Sequence, residues 1–303
     1  MGLFDKIREP IFLKEDSSAE TQLQQLNDLL KTADSKTAEK IKADIKLIEA
    51  GMYGEKNIIY ELKNSHIPMI VLHDLYLSRG DLSTQIDFLI ITRKKTFVVE
   101  CKNLFGNIEI TRNGDFVRTI GNKKEGIYSP ITQNKRHLEM VKELRSDTKK
   151  NVIIKVLFDS KWFYDNYIPV VVLANPKTIL NDKFAPKEIQ KQVVRADQLN
   201  AFIRKINDAD YTQVSEKRIE ELAQWFLDMH QPKAESYMAK YNVSANVVEN
   251  TPIIEQGEIS SPPCPKCDAP MILRRATKGD NAGNTFYGCS RYPKCRGIVN
   301  KAP

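Results

Sequence analysis

Apolar residues recur at helical spacing in the first fifth of the chain and then give way to short continuous runs. Leu23, Leu26, Leu29 and Leu30 mark one face of Thr21–Lys31, and Ile41, Ile45 and Ile48 mark one face of Lys36–Ala50, so residues 17–50 are expected to form two helices with the intervening Lys and Glu solvated. Gly51 is read as a stop and Gly54 as a restart, followed by a short third helix, Glu55–Asn64, with Ile58, Ile59 and Leu62 inward. Strand-like runs come next: Pro68–Leu77, Thr84–Thr92 and Thr96–Lys102. Only Arg93-Lys94-Lys95 separates the last two, which therefore suit a hairpin. Gly106–Thr111 and Asp115–Ile120 flank Asn113-Gly114, a strong hairpin turn signal. Ile131–Arg145 reads as a helix, Val152–Phe158 as an apolar run of undecided type, and Ile168–Ala174 as a buried strand closed by Asn175-Pro176. Ala196–Ile206 and Val214–Met229 read as helices. The order helix, three strands, helix, strand implies a mixed α/β sheet flanked by helices.

Two charged groups interrupt these apolar runs. Asp87 lies in the second strand, and Glu100-Cys101-Lys102 ends the third. Alternation along a strand turns Glu100 and Lys102 one way and Cys101 the other. Solvated charges at a sheet edge would leave the same letters. The nearly continuous runs Phe88–Ile91 and Phe97–Val99 instead mark buried strands, where charges are costly unless paired or bound to metal. Two carboxylates and an ammonium at one end of a sheet suit metal-assisted phosphodiester cleavage, with oxygen ligands for a hard divalent cation and a cation beside the attacked phosphate.

Composition limits the surroundings. The chain has 303 residues, enough for one large and one small domain, and a net charge of +7. Residues 264–303 hold eight Lys/Arg against two acids, so +6 of that excess sits in the last forty residues. Four zinc-bound thiolates would outweigh one Zn²⁺ by two charges, leaving about +4 there. A basic tail module points to a polyanionic partner. Met1–Leu13 has acidic residues among its apolar positions and no signal-peptide pattern; its Leu3, Phe4, Ile7, Ile11 and Phe12 are expected to pack on the protein's own core. A cytoplasmic protein without stable membrane association is expected. Four of the five cysteines, Cys264, Cys267, Cys289 and Cys295, cluster at the end, where a metal site is a better reading than a disulfide framework.

Taken together, Gly54-Glu55, His73-Asp74-Leu75, Gln85-Ile86-Asp87, Val99-Glu100-Cys101-Lys102-Asn103 and Gly106 resemble the nuclease-related domain family of the PD-(D/E)XK nuclease superfamily, over about residues 51–175. Phe88 stands where a His is common, and Cys101 where Thr is common. The resemblance implies a restriction-endonuclease-like mixed sheet. It also implies that Asp87 and Glu100 bind Mg²⁺ or Mn²⁺ together with the Cys101 carbonyl, and that Lys102 holds or helps activate the attacking water. Glu55 would reach the metal through water. Gln133 matches a Gln that orients the attacking group or the DNA backbone; heading an inward face with His137, Met140 and Leu144, it is equally well read as a satisfied cap. His73 and His137 are read as structural or surface residues, and Cys101 as a small buried apolar one.

Cys264-Pro-Lys-Cys267, then twenty-one residues, then Cys289-Ser-Arg-Tyr-Pro-Lys-Cys295, is a zinc-ribbon pattern in which Zn²⁺ is structural, because four Cys leave no open position. The segment Phe286–Cys295 resembles the C-terminal zinc ribbons of bacterial type IA topoisomerases, which bind single-stranded DNA. That resemblance makes Phe286, Tyr287 and Tyr292 candidates for base stacking and Arg274, Arg275, Arg291, Lys294 and Arg296 candidates for phosphate contacts; a knuckle used for protein contact is the alternative. The expected organisation is a helical segment 1–50, a nuclease-like core 51–175, a helical extension 176–230, a linker 231–262 and a zinc ribbon 263–303. The joint reading is a metal-dependent deoxyribonuclease with a strand-holding ribbon. A non-cleaving nucleic-acid scaffold, or a regulator recruiting a partner through residues 17–50, stays open.

Overall fold

A computed structural model describes residues 7–147, 160–232, 241, 264–269, 271–275, 285–291 and 294–300. The Val152–Phe158 run, Leu3, Phe4, Tyr292 and most of the expected linker lie outside the described residues. The chain forms two compact units, Met1–Ser244 and Ala245–Pro303.

The first unit runs β1 (Pro10–Lys14), α1 (Ser18–Leu30), α2 (Ser35–Lys63), β2 (Met69–Arg79), β3 (Leu82–Ile91), β4 (Thr96–Lys102), β5 (Asn107–Ile110), β6 (Phe116–Ile120) and β7 (Lys123–Ile127). It continues with α3 (Pro130–Asp147), α4 (Ser160–Asn166), β8 (Tyr167–Leu173), β9 (Leu180–Asn181), α5 (Lys187–Gln190), β10 (Val193–Arg195), α6 (Leu199–Asp208) and α7 (Glu216–Met229). The main sheet has the order β1-β2-β3-β4-β8-β10. β2, β3 and β4 pair antiparallel, whereas β1, β8 and β10 add in parallel. The mixed α/β sheet read from the sequence is therefore present, with β3 and β4 at its centre. A smaller sheet, β7-β6-β5-β9, stands beside it.

Both faces of the main sheet are buried, which is why its strands read as apolar runs. Leu72, Leu89, Ile91 and Val98 pack with Leu138, Val141 and Leu144 of α3 and Ile219, Ala223 and Phe226 of α7. On the other face, Val71, Phe88, Ile90, Phe97 and Val99 pack with Ile58 and Leu62 of α2 and Leu199 and Ile203 of α6. Asn134 anchors α3 by donating its amide to the carbonyls of Val98 and Val170, at 2.9 and 3.0 Å. The β3–β4 turn closes around Thr92, whose N–H and hydroxyl both donate to the Lys95 carbonyl, at 2.9 and 2.8 Å.

The sequence reading fails at three places. Gly51 and Gly54 do not divide two helices; α2 is one helix of 29 residues that runs through both. A helical Gly costs about 1 kcal/mol relative to Ala, and packing outweighs it. A Cβ at Gly54 would lie 2.6 Å from the Asn103 Cβ and 3.2 Å from the Ala174 Cβ, so this glycine lets α2 approach the ends of β4 and β8. At Gly51 the same atom would meet nothing. Second, Pro10–Lys14 is a strand pairing with β2 that the sequence reading left unassigned, although the expectation that the start packs on the core holds for its described part, with Ile7 buried in that core. Third, β7 and β10 are short strands with no apolar run to announce them. Both helices of residues 17–50 are present and pack together through Leu26, Leu29, Ile41 and Ile45. Ser17 and Asp34 cap them, accepting from Ala19 N at 3.2 Å and from Lys36 N at 2.9 Å.

The second unit is a three-stranded antiparallel sheet, β11 (Met271–Arg275), β12 (Thr285–Cys289) and β13 (Ile298–Asn300), in that order.

Candidate active site and zinc ribbon

The charged residues gather where the regular ladder of the main sheet breaks. Ile86 packs on the same face as Leu89 and Ile91, while Phe88 and Ile90 pack on the other. Strict alternation would put Ile86 with Phe88, so the facing of side chains flips at Asp87, as it does in β2 between Leu72 and Leu75, while the β2–β3 pairing keeps one register through the flip. Across from Asp87, Asp74 of β2 has φ +53°, a left-handed conformation uncommon for a side-chain-bearing residue. The described β3–β4 pairs end at Phe88–Val99, and beyond them Asp87 Oδ2 accepts the Cys101 backbone N–H at 2.7 Å. A carboxylate thus replaces a ladder carbonyl.

Glu100 and Lys102 share the α3 face, as alternation requires, and Cys101 packs with the opposite cluster. Glu100 is 2% exposed, yet both its oxygens have donors. Lys102 Nζ donates to Oε1 at 2.5 Å, and His137 Nε2 lies 2.9 Å from Oε2. A carboxylate only accepts, so His137 meets it through Nε2–H and presents Nδ1 to the Thr84 hydroxyl. Lys102 Nζ also donates to Gln133 Oε1 at 3.0 Å, so α3 delivers both Gln133 and His137 to the strand end.

A second polar group lies on the α2 side. His73 stacks on Phe88 with ring centroids 4.6 Å apart. Its Nδ1 lies 2.9 Å from the Glu15 carbonyl and its Nε2 lies 3.1 Å from Glu55 Oε2. Burial by itself would lower the His73 pKa; the hydrogen bonds to Glu55 and the Glu15 carbonyl, with the charges of Glu55 and Asp74, outweigh it and raise the pKa. Asp74 takes the Gln85 side chain at 2.6 Å and the Ser18 N–H at 2.5 Å, tying the start of α1 to β2 and β3.

Asp87 sits between the two groups electrostatically. Desolvation first, then the charge of Glu100 and more weakly that of Glu55, push its carboxyl well above the usual range; the Cys101 N–H and Lys102 oppose this. Like charges crowded out of water are relieved by a cation. The Asp87 and Glu100 oxygens, with one strand-end carbonyl, suit a hard divalent ion that keeps several waters. Burial pushes the Cys101 thiol well up, which suits an inert apolar filler.

Sequence reasoning read His73 and His137 as structural or surface residues; both are buried and structural, and what it did not reveal is that they back Glu55 and Glu100. An isolated His in a helix or strand carries no signal of its partner; only packing brings it to a carboxylate.

In the ribbon, the ligand atoms of Cys264, Cys267, Cys289 and Cys295 all lie within 4.8 Å of one another. Sγ–Sγ separations of 3.7 Å (Cys264–Cys295) and 3.5 Å (Cys267–Cys289) fit the roughly 3.8 Å edge of a tetrahedron with Zn–S bonds of about 2.3 Å. The Lys266 N–H helps lower the Cys264 thiol to about 7, while burial pushes Cys289 up to about 12. Gly297 is a further requirement the spacing did not reveal: a Cβ there would stand 2.2 Å from Cys264 Sγ. Arg291, Lys294 and Arg296 are exposed. Tyr287 packs with the cysteines, and alternation turns its neighbour Phe286 to the other face. The strand backbone of Arg274 and Arg275 is described, but their side chains lie outside the description.

Comparison with known proteins matches residues 50–174 to the nuclease-related domain family and residues 262–303 to the topoisomerase DNA binding C4 zinc finger. DNA topoisomerase 1 of Mycoplasma genitalium is 24% identical over 102 residues, which is 33% of this chain but only 14% of that protein. No solved structure matches the chain. Among the described residues, no helix is long and apolar enough to cross a membrane. The chain thus joins a nuclease-related domain to a topoisomerase-type C4 zinc ribbon.

Proposed function

We propose that the first unit hydrolyses phosphodiester bonds of DNA in a Mg²⁺- or Mn²⁺-dependent reaction, and that the ribbon, folded around Zn²⁺, binds single-stranded DNA. The observation that carries this reading is the convergence of Asp87, Glu100, Lys102 and Gln133 where the β3–β4 ladder ends, with Lys102 and Glu100 both held from α3. A structural scaffold has no need of that set.

Asp87, Glu100 and the Cys101 carbonyl would hold the ion, which supplies Lewis-acid polarisation of a phosphoryl oxygen and an acidified water. Lys102, whose side chain is 25% exposed, is open enough to meet a phosphate while Glu100 and Gln133 fix its ammonium. Its positive charge stabilises the charge that grows on the phosphoryl oxygens. With its oxygen held by Lys102, Gln133 presents its amide N–H to the attacking water or a phosphate. His137 and Thr84 fix the Glu100 carboxylate, and His73 fixes Glu55. The ribbon raises the local concentration of substrate strand through a tether, without adding contacts to the catalytic core. A four-cysteine zinc site needs reduced thiols, which fits the cytoplasmic location proposed for the protein.

The test is cleavage of labelled single-stranded and duplex DNA with Mg²⁺ or Mn²⁺, with EDTA and Asp87→Ala as controls. Metal-dependent cutting that the variant lacks is the expected result. DNA binding without cutting under either metal would move the assignment to a nucleic-acid scaffold.

A further inference from the structure

Two segments close in the chain to Lys102 and Gln133, and a hairpin tip in contact with one of them, leave apolar groups in solvent. Phe105, three residues past Lys102, is 63% exposed; Tyr128, five residues before Gln133, is 60% exposed; Ile120, at the tip of the β6–β7 hairpin, is 38% exposed. Isolated exposed apolar residues need no explanation, but these are held by specific local structure. Gly106 has φ +98°, and a Cβ there would stand 2.5 Å from the Thr119 carbonyl oxygen and 2.8 Å from Ile120 Cγ1. That close approach latches the Phe105 loop to the hairpin tip. The Arg136 guanidinium lies over the Tyr128 ring, 5.7 Å from its centroid. Arg136 is exposed on α3, one turn beyond Gln133, and exposed Lys123 pairs with Ile120 across the hairpin. The nearby Glu125 is held by Arg118 at 2.8 Å.

Rings interleaved with cations fit a polyanion that offers flat apolar faces. Single-stranded nucleic acid does so, whereas a duplex hides its base faces. We infer that this rim of the first unit is a single-stranded DNA contact, with bases stacking on Tyr128 and Phe105 and phosphates meeting Arg136 and Lys123. The residues of this contact all belong to the first unit. Its closeness in the chain to Lys102 and Gln133 gives it meaning under the nuclease reading, on which the inference rests; binding itself does not require cleavage.

The experiment is photo-cross-linking of full-length zinc-loaded protein to 5-iodouracil-substituted single-stranded DNA, with Ca²⁺ replacing Mg²⁺, followed by peptide mapping. Adducts at Tyr128 or Phe105, beside any in the ribbon, are expected. They should fall roughly tenfold in the Tyr128→Ala/Phe105→Ala double variant and survive in Tyr128→Phe, which keeps the ring. Adducts confined to the ribbon overturn the inference, as does equal cross-linking by a fully paired duplex. If the wild-type protein cuts nothing yet cross-links at these rings, the nuclease reading fails and the contact stands. If it cuts without adducts there, the contact fails and the nuclease reading stands.

Discussion

The two polar clusters of this protein relate to their folds in opposite ways. Among the described residues of the ribbon the cysteines are the core: Cys264 and Cys289 are fully buried, joined by Ala269, Met271 and a few partly buried side chains. In the first unit the carboxylates sit within the strands of a sheet covered on both faces by apolar side chains that do not depend on them. A ribbon of this size buries too little to fold alone, so metal affinity is folding energy. The larger unit has apolar burial enough to carry an unfavourable cluster of like charges. One site makes its fold; the other is an expense the fold can bear.

That contrast can be broken by experiment. Removing zinc with a chelator, or Cys264→Ser, should abolish the structure of the ribbon entirely, a loss on the order of 10 kcal/mol. The melting transition of the first unit should not move. A shared transition, seen by calorimetry, would show that the two units are not energetically separate.

Lys102→Ala should lower the cleavage rate by about 10²–10³-fold, with little change in melting temperature. A large drop in stability would mean that Lys102 is structural, as the cysteines are.

Gly54→Ala should destabilise the first unit by about 1–3 kcal/mol, because the new Cβ meets Asn103 and Ala174. Gly51→Ala, with open space around it, should stabilise by up to about 1 kcal/mol. Denaturant unfolding of the pair separates glycine kept for packing from glycine merely tolerated in α2.

The smallest effect concerns pH. The folded pKa of Asp87 lies above its ordinary value of 3.8, so the folded protein holds that proton more tightly than the unfolded chain. Stability without divalent metal should therefore fall as pH rises from about 4 through the raised value, then level off. Asp87→Asn should flatten this fall and raise the neutral-pH melting temperature of the metal-free protein. A fall of the same depth in the variant would assign it to another group.

Much of this was legible from residue order because it rests on local pattern. Continuous apolar runs gave β3, β4 and β8 because both faces of their sheet are covered. The Cys spacing gave the metal cluster because two short knuckles fix two ligands each. The E-x-K alternation gave the shared orientation of Glu100 and Lys102. Where reading failed, a non-local contact had won. Gly54 looks like a helix break until Asn103 and Ala174 are seen against it. Strict alternation through Thr84–Thr92 misplaces Ile86, because β2 and β3 change face together while keeping their register.

The sequence by itself determined the two-part organisation, the strands that bear the acids, and the four ligands of the ribbon, since each follows from periodicity or spacing within one segment. Only the tertiary structure decided that α3 brings His137 to Glu100 and Gln133 to Lys102, that His73 backs Glu55, and that Gly297 makes room for Cys264. Those pairings join residues far apart in the chain, and close packing rather than local preference sets which side chains meet.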